Sequence, residues 1–466
     1  LALVAFMPVA QAQDKGKSDF THSAEFRVRD TFEQNESGNS SQAPAHHNGV
    51  DQRFKLGVGF KANEKFSVNG TFIQSAAWGQ SGTEQLADRA GLTTGDQTNF
   101  LSVNEAYATW QMTDMFRLKF GRQNFSFGDG SVMSVNDWQR QPYAFDGVTA
   151  NYELEFGRFS AFAFKYRDFT GPTGFNPGVL SSSSDPQHDA FGVVFDLKTM
   201  PEWLKMVNAY VIQDKADGVS IPAGTVPSVG NTIQTNQGQN ALRYGALAGG
   251  AFSIVDVKVG YNMVTGKNTD YGSANGYGQT TNPSRTINQN MMQAEVGVNF
   301  PSLMMSRLYV SYHQDSGTSG GDLGHKSNTY DAYLYDRHNG SGQMELVGWG
   351  NLTDVAIGLT AKPTDSTDVG LSYNMFSKTQ SADGINAGYY GTNLFANNGT
   401  AVNCAGSNCH SAIGDEIDVW AEHRYDTGLS MMARVGYFMP GSQLKDPVYN
   451  RSSSITQVMV QGKFTF

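Results

Sequence analysis

The sequence predicts an all-β fold: one transmembrane antiparallel up-and-down β-barrel of about eighteen strands, with short periplasmic turns and long extracellular loops. Three observations carry this. Charged residues alternate with aromatic and aliphatic ones at period two along the chain. Turn-forming clusters recur with short and long connections in alternation. No stretch approaches the roughly 18 apolar residues that a helical span requires, so any crossing must be made by strands.

Composition fits a wall with one apolar and one wet face. The 466 residues include 29 Phe, 20 Tyr and 52 Gly, with only 16% charged, yet the mean hydropathy is −0.40. Aromatics in a chain that is polar on average need an apolar surface, and a barrel supplies it on the lipid side. The net charge of −10, with no long basic cluster, argues against a nucleic-acid binder.

Leu1–Val9 is a short apolar run, and Ala10-Gln11-Ala12 follows it with the small-x-small pattern of a secretory cleavage site. Residues 1–12 are therefore expected to be the remnant of a signal peptide, a buried core strand being the alternative, and 13–466 the barrel.

The first strands set the parity. Phe26 and Val28 oppose Arg27 and Arg29, and Phe54, Leu56, Val58 and Phe60 oppose Arg53 and Lys55. Arg117 and Lys119 alternate with Leu118 and Phe120, and Lys165 and Arg167 with Phe162 and Phe164. If aromatics face lipid, each of these cations faces the lumen.

Short turns are expected near Ala62–Glu64, Thr113-Asp114, Glu153–Gly157, Thr199–Pro201, Ala251–Ser253, Pro301-Ser302, Pro363–Asp365 and Asp426–Gly428. Long connections fall near 35–50, 78–99, 124–142, 169–187, 216–240, 267–287, 315–350, 379–412 and 439–453. Eight turns and nine loops give eighteen strands, an even number that puts both ends of the barrel on the periplasmic side. Within 315–350, Asp331–Tyr335 or Met344–Trp349 could extend a hairpin above the membrane.

The last strand alternates Val458, Val460, Phe464 and Phe466 with Gln461, Lys463 and Thr465. An open edge of this kind invites aggregation, so closure is expected. A terminal strand ending on Phe466 also resembles the signal read by the barrel-assembly machinery.

Several segments resemble the alginate-export family of outer-membrane porins. They are Phe26–Arg29, Asn104–Tyr107, Phe120–Gln123, Asn136–Gln141 followed by Phe145–Val148, Asn351–Asp354, Gly414–Asp418 and Gly436–Gly441. The resemblance covers both ends better than the middle, about 170–290. It implies an eighteen-stranded monomer in the outer membrane and a lumen for acidic saccharides such as alginate-like uronates. The family pattern is a strongly cationic, arginine-rich pore, and this chain departs from it in its last third.

The candidate lining is therefore mixed. Arg27, Arg29, Arg53, Lys55, Arg117, Lys119, Lys165 and Arg167 form a basic half, with Arg122 and Glu105 added by the family segments. Glu295, Asp354, Asp368, Glu416, Asp418 and Glu422 form an acidic half, interspersed with Arg307, Arg424 and Arg434. Opposed charges would tune selectivity, or would pair across strands and only hydrate the wall. The 124–142 loop, folded inward, would bring Arg140 to an anion, the Trp138 ring to a sugar and Asp137 to its hydroxyls; as a solvated outer loop it would do none of these.

Cys404 and Cys409 are expected to form a local disulfide in a secreted setting. With His410 they fall short of a tetrahedral metal set, so no metal or cofactor is expected. No nucleophile elbow, P-loop or zinc-protease motif stands in a fitting context, and Ser311 and His313 share the inward parity of one strand, so an enzyme is not expected. The expected function is passive passage of polar solutes, with acidic saccharides or small anions favoured. A general non-selective porin, or a barrel plugged by its own loops, are the alternatives.

Overall fold

The computed structural model describes residues 19–35, 38, 46–78, 100–165, 188–216, 238–269, 284–320, 326–332, 334–339, 341–385, 394, 409–446 and 449–466. The expected leader, Arg167 and Cys404, and with Cys404 the expected disulfide to the half-buried Cys409, lie outside the described residues.

Nineteen strands follow in order: β1 (Asp19–Gln34), β2 (His46–Asn63), β3 (Phe66–Ala77), β4 (Phe100–Gln111), β5 (Phe116–Gln123), β6 (Phe145–Glu153), β7 (Gly157–Lys165), β8 (His188–Leu197), β9 (Leu204–Ala216) and β10 (Gly238–Phe252). They continue with β11 (Val255–Thr269), β12 (Ser284–Phe300), β13 (Ser306–Asp315), β14 (Lys326–Ser327), β15 (Leu352–Thr364), β16 (Thr367–Lys378), β17 (Ala412–Arg424), β18 (Leu429–Pro440) and β19 (Ile455–Thr465). The two-residue β14 runs parallel to β12 at Thr286 and Ile287, inside a loop. The other eighteen are the wall, each antiparallel to its chain neighbour.

The wall closes. β19 pairs back onto β1 from Glu25↔Thr465 to Gln34↔Thr456, and Ala24 and Phe466 exchange N–H···O bonds of 2.7 and 3.0 Å at the end of the seam. Closure satisfies every strand's backbone within the sheet, the condition for crossing hydrocarbon. All eight expected short turns separate successive wall strands, and they share a rim with the start of β1 and the end of β19. In this class that rim is periplasmic.

Side chains sort by parity as the barrel requires. Phe26, Leu56, Phe60, Phe120, Val259, Val419, Val458, Val460 and Phe464 are exposed on the outer face, where lipid covers them. One bulge changes the register: Thr71 pairs with Glu105 but Phe72 with Val103, so Asn104 is an extra residue. It lets Val103 face lipid while Glu105, two positions on, faces the lumen to accept from Thr71 Oγ1 at 3.1 Å.

Two expectations of parity fail. Phe162 and Phe164 point inward and are buried, so Lys165 projects from the outer surface, 68% exposed beside Asp189. Arg122 shares the outward parity of Phe120 and forms a bidentate pair with Asp146, both bonds 2.8 Å, at the extracellular end of β5 and β6. Neither cation lines the lumen. For Lys165 the mistake lies in assuming that an aromatic always faces lipid, whereas Phe162 and Phe164 pack on aromatics delivered from inside; for Arg122 the outward parity of Phe120 already pointed away from the lumen, against the family likeness.

Candidate functional site

Two long connections fold into the barrel and meet there. The β5–β6 connection brings Phe125, Phe127 and Met133 onto Phe162, Phe164, Val194, Tyr210 and Ile212 of the inner wall. The β13–β15 connection brings Tyr330, Tyr335, Met344, Leu346, Val347 and Trp349 onto Val264, Ile287, Met291, Leu352, Phe376 and Phe438. Each fully buried side chain of this size contributes about 1.5–3 kcal/mol, which explains why these inward wall positions are apolar. The described residues of Asp331–Tyr335 and Met344–Trp349 thus lie inside the barrel rather than in a hairpin above the membrane. The two connections join through Ser134 N–H to Leu334 O at 2.8 Å and Asp336 N–H to Gly130 O at 2.9 Å.

The wall grips both by main-chain recognition. A turn at Asn136, with φ of 49°, presents three successive carbonyls to three arginines. Arg53 donates to Asp137 O at 2.7 Å and Gln139 O at 2.8 Å, Arg29 to Trp138 O at 2.9 Å, and Arg27 to Gln139 O at 3.1 Å and Asp137 O at 3.3 Å. Arg53 also pairs with Glu25 at 2.5 Å, and Arg29 donates to Gln461 Oε1. The three guanidiniums are at most 2% exposed, so they are anchors and not an open cationic lining. Charge-assisted bonds of this kind contribute about 1.5–3 kcal/mol each.

On the facing wall, acids do the same for the second loop. Glu416 accepts Met344 N–H at 2.9 Å and Asp418 accepts Gln343 N–H at 3.2 Å. Both carboxylates are fully buried, as is Arg434, which donates to Gln457 at 2.9 Å. Gln457 in turn donates to Met344 O and to Glu33.

Between the anchors stands a stack. The Arg29 guanidinium lies 3.8 Å from the Trp138 ring centroid and the His338 imidazole 3.6 Å from it, while His338 Nδ1 bonds Glu345 at 2.8 Å. Burial lowers the His338 pKa below its ordinary value against the opposing bond from Glu345. Trp138 is consequently occupied by protein and is no free platform for a sugar, and Arg140, 5% exposed, is not presented to solute.

Asp137 keeps its side chain half open, with its carboxylate 2.9 Å from Lys55 and 3.3 Å from Arg53. Burial pushes its pKa up, but Arg53 and Lys55 outweigh this and hold it below the ordinary carboxylate value.

The periplasmic half of the lumen is wetter and remains mixed in charge. Arg117 is exposed on the inner face of β5, and Lys119 lies 3.9 Å from Glu105 and 3.7 Å from the Tyr107 ring centroid. Farther round, Arg307 bridges Asp256 and Glu295 at 2.5 and 2.6 Å, and Arg424 pairs with Asp368 at 2.5 Å. Many inward charges are therefore paired across strands, the blander of the two expectations. Of Ser311 and His313, the second stacks on Trp349 at 4.1 Å and contacts Asp315 at 3.0 Å. Sequence reasoning placed the second loop as a long connection but missed its fold into the lumen, for which the aromatic content of 330–349 was a visible signal.

A closed eighteen-stranded wall with an apolar outer band and loops gathered in its lumen defines an outer-membrane channel of the bacterial β-barrel class. Solved structures agree in fold. The chain is similar to Pseudomonas aeruginosa OccK9 (OpdG), with a TM-score of 0.58 at 10% identity, covering 96% of this chain and 98% of that one. It is similar to OccK8 (OprE) of the same organism, at 0.57 and 12% with the same coverages, and to OpdK, crystallised with vanillate, at 0.55 and 10%, covering 96% and 99%. No curated protein sequence matches. The alginate export family model matches residues 11–457, and the chain belongs to that family.

Proposed function

We propose that the barrel passes acidic saccharides of the uronate type, past a constriction formed by the two inward loops. The observation that carries this reading is the placement of the cations not spent on loop anchoring. Arg117 and Lys119, on the inner face of β5, stand in the periplasmic half, where a carboxylate can meet them. The family's description and the vanillate of OpdK, a carboxylate, support an anionic cargo. The reading takes the barrel as a monomer and its Phe466 strand as the segment offered to the assembly machinery.

A second reading has its own observation. The apolar core within the barrel and the anchored loops suit a plugged barrel without steady conductance. Single-channel recording of the refolded protein under a salt gradient, with and without short uronate oligosaccharides, separates the two. Anion-selective current blocked by uronates supports the proposal. Unselective, unblocked current points to a general porin, and absence of current to a plug.

A further inference from the structure

Just on the periplasmic side of the second loop's acid anchors, the inner wall carries two aromatic side chains laid over glycines. Tyr309 on β13 leans across Gly358 of β15, whose added Cβ would lie 2.3 Å from the ring. Trp420 on β17 leans the opposite way across Gly370 of β16, whose Cβ would lie 2.4 Å from Nε1. Gly358 pairs with Ser372 and Gly370 with Thr360, so the glycines are diagonal neighbours, about 7–8 Å apart. Two rings from flanking strands thus cover one window in the wall, which only residues lacking a Cβ leave open. Both are partly exposed on the inner face.

We propose that Tyr309 and Trp420 form a stacking platform for the pyranose rings of a saccharide, a site that rests on the channel reading above and specifies where the sugar dwells. A flat apolar ring matches the C–H face of a pyranose, while the hydroxyls around its rim need donors and acceptors. The wall supplies them on both flanks. Arg307, with its guanidinium 5.2 Å from the Tyr309 centroid, holds Asp256 and Glu295, each about a quarter exposed, and Arg424 with Asp368 lies two positions beyond Glu422 on the Trp420 strand's periplasmic end. Trp420 follows Asp418 by two positions on the same face, so a sugar on the platform sits directly below the loop held by Asp418.

Two readouts test this on the full-length refolded protein: calorimetric titration with a short uronate oligosaccharide, and current block by the same probe. In Tyr309→Ala and Trp420→Ala affinity should fall about three- to tenfold and block dwell times shorten, while thermal stability stays close to the parent's. Trp420→Phe, which keeps a ring, should retain most of the affinity and guards against a folding defect in the alanine variant. Unchanged affinity in both alanine variants, or no binding by the parent in a barrel that conducts, overturns the platform and leaves the channel standing. A parent that binds the sugar through these rings but carries no current overturns the channel reading instead.

Discussion

The Trp138 indole lies parallel to the His338 imidazole, their centroids 3.6 Å apart and their planes within 8°, and this contact ties the β5–β6 loop to the β13–β15 loop in the middle of the barrel. A parallel aromatic pair contributes about 0.5–1.5 kcal/mol beyond its buried area. Trp138→Ala should loosen both loops without opening the wall. Planar-bilayer recording should show higher conductance and more open-channel noise than the parent, with unaltered barrel circular dichroism; identical traces would refute the tie.

Arg53 donates to two carbonyls and two carboxylates at once and so reaches both the wall and the loop. Arg53→Ala removes these bonds and leaves Glu25 without its 2.5 Å partner. A loss of about 1.5–3 kcal/mol in loop anchoring is expected. Hydrogen exchange at 136–140 should speed up markedly while amides of β1 and β2 stay protected. Equal protection in both proteins would mean that Arg27 and Arg29 suffice.

Gly342 occupies φ of +72°, and a Cβ there would sit 2.2 Å from Glu416 Oε1. Gly342→Ala should therefore push the second loop off its acid anchor, combining backbone strain with a clash. Glu416→Gln should be milder, since the amide oxygen can still accept Met344 N–H. Comparing proteolytic nicking within 341–350 in the two variants checks the order; equal resistance would contradict it.

The pH response of the first loop follows from Asp137. Its folded pKa lies below the ordinary carboxylate value near 3.9. The pairing with Lys55 and Arg53 is then fully present above that value and is lost only as pH falls through the lower, folded one. Conductance should hold steady from neutral pH down to about 4 and change below it, and Asp137→Asn should abolish the acid step. A step above pH 5 would assign the response to another group.

Arg117 tests the selectivity reading, because it is exposed on the lumen side and takes no part in loop anchoring. Arg117→Glu reverses one charge in the wet half and should move the reversal potential toward cation preference, with little change in thermal stability. An unmoved potential would remove β5 from the conduction path.

Period-two patterning, eight short turns and the alternating last strand were enough to give the barrel, its strand number and its seam, because these follow from local sequence and from the need to close a sheet in lipid. The same local rule misassigned Lys165, and a family likeness misassigned Arg122. Phe120 two residues before Arg122 already marks the outward face, but a family likeness overrode it; for Lys165, alternation gave two faces without saying which was wet.

What the sequence by itself determined is therefore the wall, whose strands and turns follow from neighbours in the chain and a regular pleat. Only the tertiary structure decided what the lumen contains. Arg27 meets Asp137 across 110 positions and Gln457 meets Met344 across 113, through main-chain carbonyls that carry no residue-specific mark. Whether an inward arginine greets a solute or anchors a loop depends on which backbone arrives opposite it, and strand periodicity carries no information about that arrival.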